Sequence, residues 1–184
     1  NSESVSRITA GIGQVLGRRG YQMLLANTDN LAERELEYLD LFQNHPVDGI
    51  VLVATMITDE HRHAIASCRV PMVLIGQNVE GAACVYHDDY EAAFELGRAL
   101  AGRVTGKIGY VGVTEDDQAA GYDRRHGLQA GLAAAGVELD PAMIRYGSFT
   151  LDSGYRAARE LLQADSHLDF IACATDTMAA GALR

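Results

Sequence analysis

The 184-residue sequence has no tryptophan, and its three cysteines, Cys68, Cys84 and Cys173, form no CxxC pair. That spacing excludes a zinc knuckle and a thioredoxin-like redox motif. It leaves free thiols in a reducing compartment as the reading. No apolar run approaches the ~18 residues that a membrane helix needs. Positive charge is scarce: 15 Lys and Arg stand against 25 Asp and Glu, a formal net charge of −10. A surface that acidic is a poor partner for nucleic-acid phosphates, so contact with DNA would fall to another part of the protein. Gly106-Lys107 has neither the upstream glycine nor the following Ser/Thr of a phosphate-binding loop. No nucleophile sits in a GxSxG elbow, and no signal peptide, internal repeat or low-complexity tract is visible.

What is present is an ordinary globular composition, 48% apolar and 22% charged, which excludes whole-chain disorder and collagen. The length suits one large domain or two small lobes, and it suffices for a core without staples. Val5, Ile8, Ile12, Val15 and Leu16 fall at helical spacing, and Gly20 is a natural stop. Residues 21–26 read as a strand, 31–44 as a helix and 49–54 as a strand covered on both faces. A helix over 58–68, strands at 72–75 and 83–86, and a helix over 89–102 follow. The second half predicts strands at 107–113, 143–146 and 169–174, helices at 122–135 and 151–164, and a last helix from about Thr177. Such alternation means βαβ units on parallel sheets with right-handed crossovers. The fold class is therefore α/β. Gly102-Arg-Val-Thr-Gly106 is the expected boundary between a lobe over 1–104 and a lobe over 105–184. The chain opens on a helix with no strand before it and stops within a helix, so residues are expected beyond both ends.

Several motifs weigh little as chemistry. Gly11-Ile-Gly13 lies inside a helical pattern, so packing glycines are a better reading than a dinucleotide loop. His61 and His63 are two apart and do not share a helix face, which favours solvated surface over a metal pair. Asp88-Asp89 and Asp116-Asp117 precede helices, which favours capping over acid/base work. No catalytic constellation, cofactor site or metal site is expected. A binding constellation is stronger, because ligands of parallel α/β lobes sit beyond the carboxyl ends of the strands. Those ends carry Asn27, Thr28, Thr55, Gln77, Asn78, Asp88, Thr114, Thr175 and Asp176, with Arg124 opening a helix and Phe149 following a strand. Planar donors, hydroxyls and an aromatic face are what a sugar needs.

Four stretches then carry a resemblance. They are Val47-Asp-Gly-Ile-Val-Leu; Arg124-Arg-His-Gly127 with Leu128 and Gly131-Leu; Gly147-Ser-Phe-Thr with Ser153-Gly-Tyr155; and Ala174-Thr-Asp-Thr-Met-Ala-Ala-Gly-Ala-Leu183. Along nearly its whole length the chain resembles the effector-binding core of the lactose/galactose-repressor (LacI/GalR) family of bacterial transcription regulators. Gly109-Tyr-Val-Gly-Val, Arg124-Arg125-His126 and Ala-Thr-Asp-Thr make it most like the trehalose-operon repressors. The resemblance implies two flavodoxin-like, periplasmic-binding-protein-like lobes with a sugar or sugar phosphate, trehalose or trehalose 6-phosphate, in the cleft between them. It also implies a side-by-side homodimer in the cytoplasm, and operator DNA bound through a helix-turn-helix domain absent from this chain.

Carried over residue by residue, the ligand contacts are Arg124, Phe149, Thr175, Asp176 and Gln77. Ser2 and Ser4 lie at a helix N-terminus suited to a phosphate. Thr175 replaces an asparagine and loses an amide donor. Gly76-Gln77 replaces an Asp-Arg pair and loses a charged clamp. Of the two adjacent arginines, Arg124 is expected in the site and Arg125 on the surface. The competing class is a secreted sugar-binding protein that feeds a transporter, which shares the fold.

Overall fold

A computed structural model describes residues 3–184. The elements run α1 (Glu3–Arg18), α2 (Ala32–Gln43), β1 (Ile50–Val53), α3 (Asp59–Ala66), β2 (Met72–Ile75), β3 (Ala83–Val85) and α4 (Asp89–Ala101). Then come β4 (Lys107–Gly112), α5 (Arg124–Ala134), β5 (Ile144–Tyr146), α6 (Leu151–Ala164), β6 (Leu168–Cys173) and α7 (Asp176–Ala182). A π-helical turn, Gln118–Asp123, feeds directly into α5. All strand pairs are parallel, in two three-stranded sheets ordered β1-β2-β3 and β5-β4-β6. The α/β architecture with parallel-sheet lobes is as expected.

The chain divides into two compact units between Tyr86 and His87. The expected boundary at 104 differs because α4 packs along α5, inside the second unit. Three glycines make that packing possible. A Cβ on Gly127 would meet the carbonyl of Tyr90, one on Gly131 that of Phe94, and one on Gly97 that of Leu128. The helices thus touch backbone to backbone, which no larger residue allows.

In the second unit β4 is both the first strand and the central one, and it is buried from Ile108 to Gly112. One face of the sheet packs Ile108 and Tyr110 against Leu128, Leu132 and Ala93 of α5 and α4. The other packs Val111 and Val113 against Ala157, Leu161 and Met178 of α6 and α7. In the first unit, Leu39, Ile50, Leu52 and Leu74 build a separate small core.

Residues 21–26 are not a strand. A strand exists by virtue of its ladder, and this run has no sheet partner among the described residues. Leu24 and Leu25 are accordingly exposed. Gly11 and Gly13 lie within α1 as expected, but a Cβ at Gly11 would meet nothing, so Gly11 is not a packing glycine here. His61 corrects the sequence reading outright. It is fully buried, because its ring turns inward from α3 to cap its own helix and meet Glu35 of α2.

Candidate functional site

The carboxyl edge of the second sheet collects the end of β4 (Thr114, Glu115), the loop after β5 (Gly147 to Thr150) and the end of β6 (Ala174 to Asp176). The N-terminus of α5 overhangs that edge. Arg124, its first residue, is held twice. Its Nε donates to Asp89 Oδ1 at 2.7 Å and its Nη1 to the Ala174 carbonyl at 2.8 Å. A guanidinium carries five donors, so three more remain for a ligand. The side chain is one-third exposed, while Asp89 is 11% exposed. The arginine is thus anchored from beneath with its head still reachable. Its partner is Asp89, not Asp117 or Asp123. Asp117 accepts from the Ala120 backbone and Asp123 from Gln118. Asp88 is the N-cap of α4, accepting from the Glu91 amide at 3.0 Å. The capping reading of the Asp88-Asp89 pair therefore holds for the first residue and misses the second.

Arg125 is not a surface residue. Its side chain is only 14% exposed, its Nε is ion-paired with Glu115, and its Nη1 donates to Gln129 at 3.1 Å. Helix residues one apart point about 100° apart. Because α5 begins over β4, that angle sends Arg124 toward the end of β6 and Arg125 toward the β5 side, where Tyr146 donates to Glu115 at 3.3 Å. Both directions are inward. Arg125 Nη2 lies 2.6 Å from His126 Nε2, and the His126 ring packs on Tyr122 with centroids 3.9 Å apart. Burial alone would raise the Glu115 carboxyl. The bonds and charge of Arg125 and His126 outweigh it and hold the group below the usual carboxylate range. Burial pushes the Tyr146 phenol up, and Glu115 adds to the shift.

Phe149 has a backbone φ of +46°, a conformation that bulky residues rarely adopt and that concentrates at functional sites. Its ring is half-buried against the Val111 and Met178 cluster. Thr175 caps α7, its hydroxyl accepting from the Met178 amide at 3.2 Å, and Asp176 is exposed in the first turn of α7. The structure thus brings Arg124, Phe149, Thr175 and Asp176 to one edge of one sheet.

Beneath that edge lies Tyr110, 2% exposed, its hydroxyl without a hydrogen-bond partner. Its ring occupies the space that a side chain at Gly112 would fill. Burial raises its phenol, against the pull of Arg124 and Arg125. The sequence reading missed Asp89, Glu115 and Tyr110. Only the Asp88-Asp89 doublet gave a signal, since one cap needs one carboxylate.

Gln77 and Ser4 belong to the first unit. Gln77 follows Gly76 (φ +91°) at the carboxyl end of β2, but it is 4% exposed, and its amide donates to the Thr55 carbonyl at 2.7 Å. It ties two loops together, so its amide is engaged within the protein. Ser4 is exposed in the first turn of α1, and Ser2 lies outside the described residues. A groove beside Arg62, Ile65, Cys68 and Val79 opens at the amino ends of β2 and β3, the edge that parallel α/β lobes do not use for ligands. Among the described residues there is no cluster of three metal-ligating side chains, and no helix long and apolar enough to cross a membrane.

With this arrangement in view, residues 5–184 match the family described as periplasmic binding proteins and sugar binding domain of LacI family. The chain belongs to that family. It is 36% identical over 179 residues to the sucrose operon repressor of Staphylococcus xylosus, covering 97% of this chain and 55% of the repressor. Among solved structures, it matches a LacI family transcriptional regulator from Silicibacter pomeroyi with a TM-score of 0.86 at 26% identity, covering 100% of this chain and 69% of that one. It also matches the regulator CelR in complex with cellobiose, with a TM-score of 0.82 at 29% identity, covering 96% of this chain and 55% of that one. The chain spans about half the length of the curated relatives it matches. These relatives are transcription regulators, so the transporter-linked alternative is not favoured. None of the relatives named here is a trehalose repressor.

Proposed function

We propose that this LacI-family chain is the effector-sensing core of a sugar-responsive transcriptional repressor. The effector is a disaccharide or its phosphate, bound at the carboxyl edge that carries Arg124. The observation that carries this reading is the Arg124 guanidinium, anchored by Asp89 and the Ala174 carbonyl and presenting its remaining donors outward. A planar fork of that kind bridges vicinal hydroxyls or grips a phosphate bidentately, which a lysine cannot copy. Phe149 supplies an apolar face for the sugar ring, and Asp176 an acceptor. Similarity to the sucrose operon repressor makes sucrose the first sugar to test, with trehalose, trehalose 6-phosphate and cellobiose beside it. No catalytic role is assigned.

In the full protein the core dimerises side by side, and a helix-turn-helix domain outside this chain reads an inverted-repeat operator. Calorimetric titration of these four sugars tests the reading. Binding by one of them, weakened by about 2–4 kcal/mol in Arg124→Ala without loss of the fold, is expected, as when a buried charged donor is removed. A nucleobase that binds where all four sugars fail overturns the sugar assignment. Near-normal affinity of Arg124→Ala removes this arginine from the site.

A further inference from the structure

The second unit buries one hydroxyl that its own fold does not use. Tyr110 of β4 is 2% exposed, and its hydroxyl has no hydrogen-bond partner among the described residues. A buried tyrosine ordinarily finds a partner for its O–H. An unmade bond of this kind costs free energy, and each such group in a folded protein calls for a reason. Shape is not the reason. The ring packs in the cluster of Ala93, Leu128 and Ala174, and phenylalanine would fill that space without stranding an oxygen.

The position of the hydroxyl supplies one. Tyr110 and Gly112 are two apart on β4 and so share a face of the sheet. A Cβ on Gly112 would lie 3.3 Å from the Tyr110 oxygen. The ring therefore runs along the strand and carries its hydroxyl toward the carboxyl edge, where α5 begins. The segments beside the ring are the ones that hold Arg124. Ala93 lies one turn beyond Asp89 on α4, Asp89 accepts from the arginine Nε, and the Ala174 carbonyl accepts from Nη1. The guanidinium is thus stretched between the two segments that flank Tyr110. Burial raises the phenol, and the charges of Arg124 and Arg125 pull it down less strongly. The group therefore stays protonated at neutral pH, a neutral donor beside a cation that can only donate.

We propose that Tyr110 is a further effector-binding residue, whose hydroxyl donates to an acceptor oxygen of the effector that Arg124 grips. The proposal rests on the effector reading of this edge. Two donors, one charged and one neutral, then converge on one ligand oxygen, which belongs to a sugar hydroxyl or to a phosphate. Reaching the phenol takes a movement of the Arg124 head, which is one-third exposed and tied through only two of its five donors. The free protein carries the cost of the unmade bond, and the complex recovers it.

Tyr110→Phe in the intact protein removes the oxygen and nothing else. Its chemical-denaturation midpoint is compared with that of wild type, and sucrose, trehalose, trehalose 6-phosphate and cellobiose are titrated into both by calorimetry. Trehalose and its phosphate, side by side, tell a hydroxyl oxygen from a phosphate oxygen. Tyrosine labelled with carbon-13 at Cζ gives wild type one NMR signal that Tyr110→Phe lacks, which assigns it. The ligand-free variant should be at least as stable as wild type. Affinity for the sugar that wild type binds should fall about tenfold, as when a buried acceptor loses a neutral donor. Saturating wild type with that sugar should move the Tyr110 signal. A merely structural role would lower stability and affinity together. A lower midpoint overturns the proposal, because the hydroxyl is then already bonded in the free protein. Affinity within twofold of wild type overturns it too, as does a Tyr110 signal that the sugar leaves in place. If wild type binds none of the four sugars, the effector reading fails and the proposal falls with it, whereas binding that survives Tyr110→Phe sinks the proposal alone.

Discussion

Arg124 and Arg125 are adjacent, chemically identical and both directed inward, yet they do different things. Arg124 is braced by one carboxylate and one carbonyl with its head reachable, whereas Arg125 is spent on Glu115, Gln129 and His126. Asp89 should therefore matter without touching ligand. Asp89→Asn keeps the shape but removes the charge that aims the guanidinium, and a tenfold loss of sugar affinity with unchanged thermal stability is expected by calorimetry and melting. Glu35 gives a pH prediction at the same scale. Burial raises its carboxyl above the ordinary 4.5, with His61 and Thr28 pulling the other way. A raised folded-state value means that the contribution to stability is present while the carboxyl is protonated and is lost as pH rises through the raised value. Glu35→Gln should therefore gain stability relative to wild type as pH rises from about 4.5 towards 7. Parallel denaturant titrations check this, and a gap constant with pH refutes it.

At the scale of elements, small residues set the helix packing. Gly127 and Gly131 sit where α5 presses on the backbone of α4, and Gly154 and Gly181 where α6 meets α7. Each pair of helices is held too close for a Cβ, so the contact is made by main chain. Gly131→Ala must push α4 away from α5. Overpacking of this kind costs about 1–3 kcal/mol, and chemical denaturation should show a loss of that size. Alanine is the better helix former, so an unchanged or raised midpoint would mean that the two helices are not held that close in solution. The π-helical turn before α5 is a second element-scale device. Capped by Asp117, it delivers the chain to Arg124 over the strand ends. Such turns are rare and concentrate at functional sites.

At the scale of the whole molecule, charge and linkage govern behaviour. A chain with a net charge of −10 should not retain DNA by itself. Tight, salt-sensitive binding of operator DNA by residues 1–184 alone would contradict the assignment of DNA contact to another domain. Ligand binding should register in stability. A sugar present at ~100 times its dissociation constant stabilises the folded protein by about 2.7 kcal/mol, which a thermal-shift series over sucrose, trehalose and cellobiose will detect for the right one.

The periodicity of apolar residues by itself determined the α/β class, the parallel sheets and most element positions, because buried parallel strands and amphipathic helices leave distinct local patterns. Residues after the expected strands gave a wider set of candidates, and the resemblance to the LacI/GalR family narrowed it to Arg124, Phe149, Thr175, Asp176, Gln77, Ser2 and Ser4, of which the first four lie at one edge of one sheet. Tertiary structure decided what depends on partners far along the chain. Residues 21–26 have a strand's composition but no ladder among the described residues, and α4 joins the second unit because three glycines admit it against α5. Gln77 turns its amide into a loop tie, and His61 leaves the surface to meet a carboxylate on another helix. No local pattern encodes these outcomes, because each is a contact between segments whose separation only folding removes.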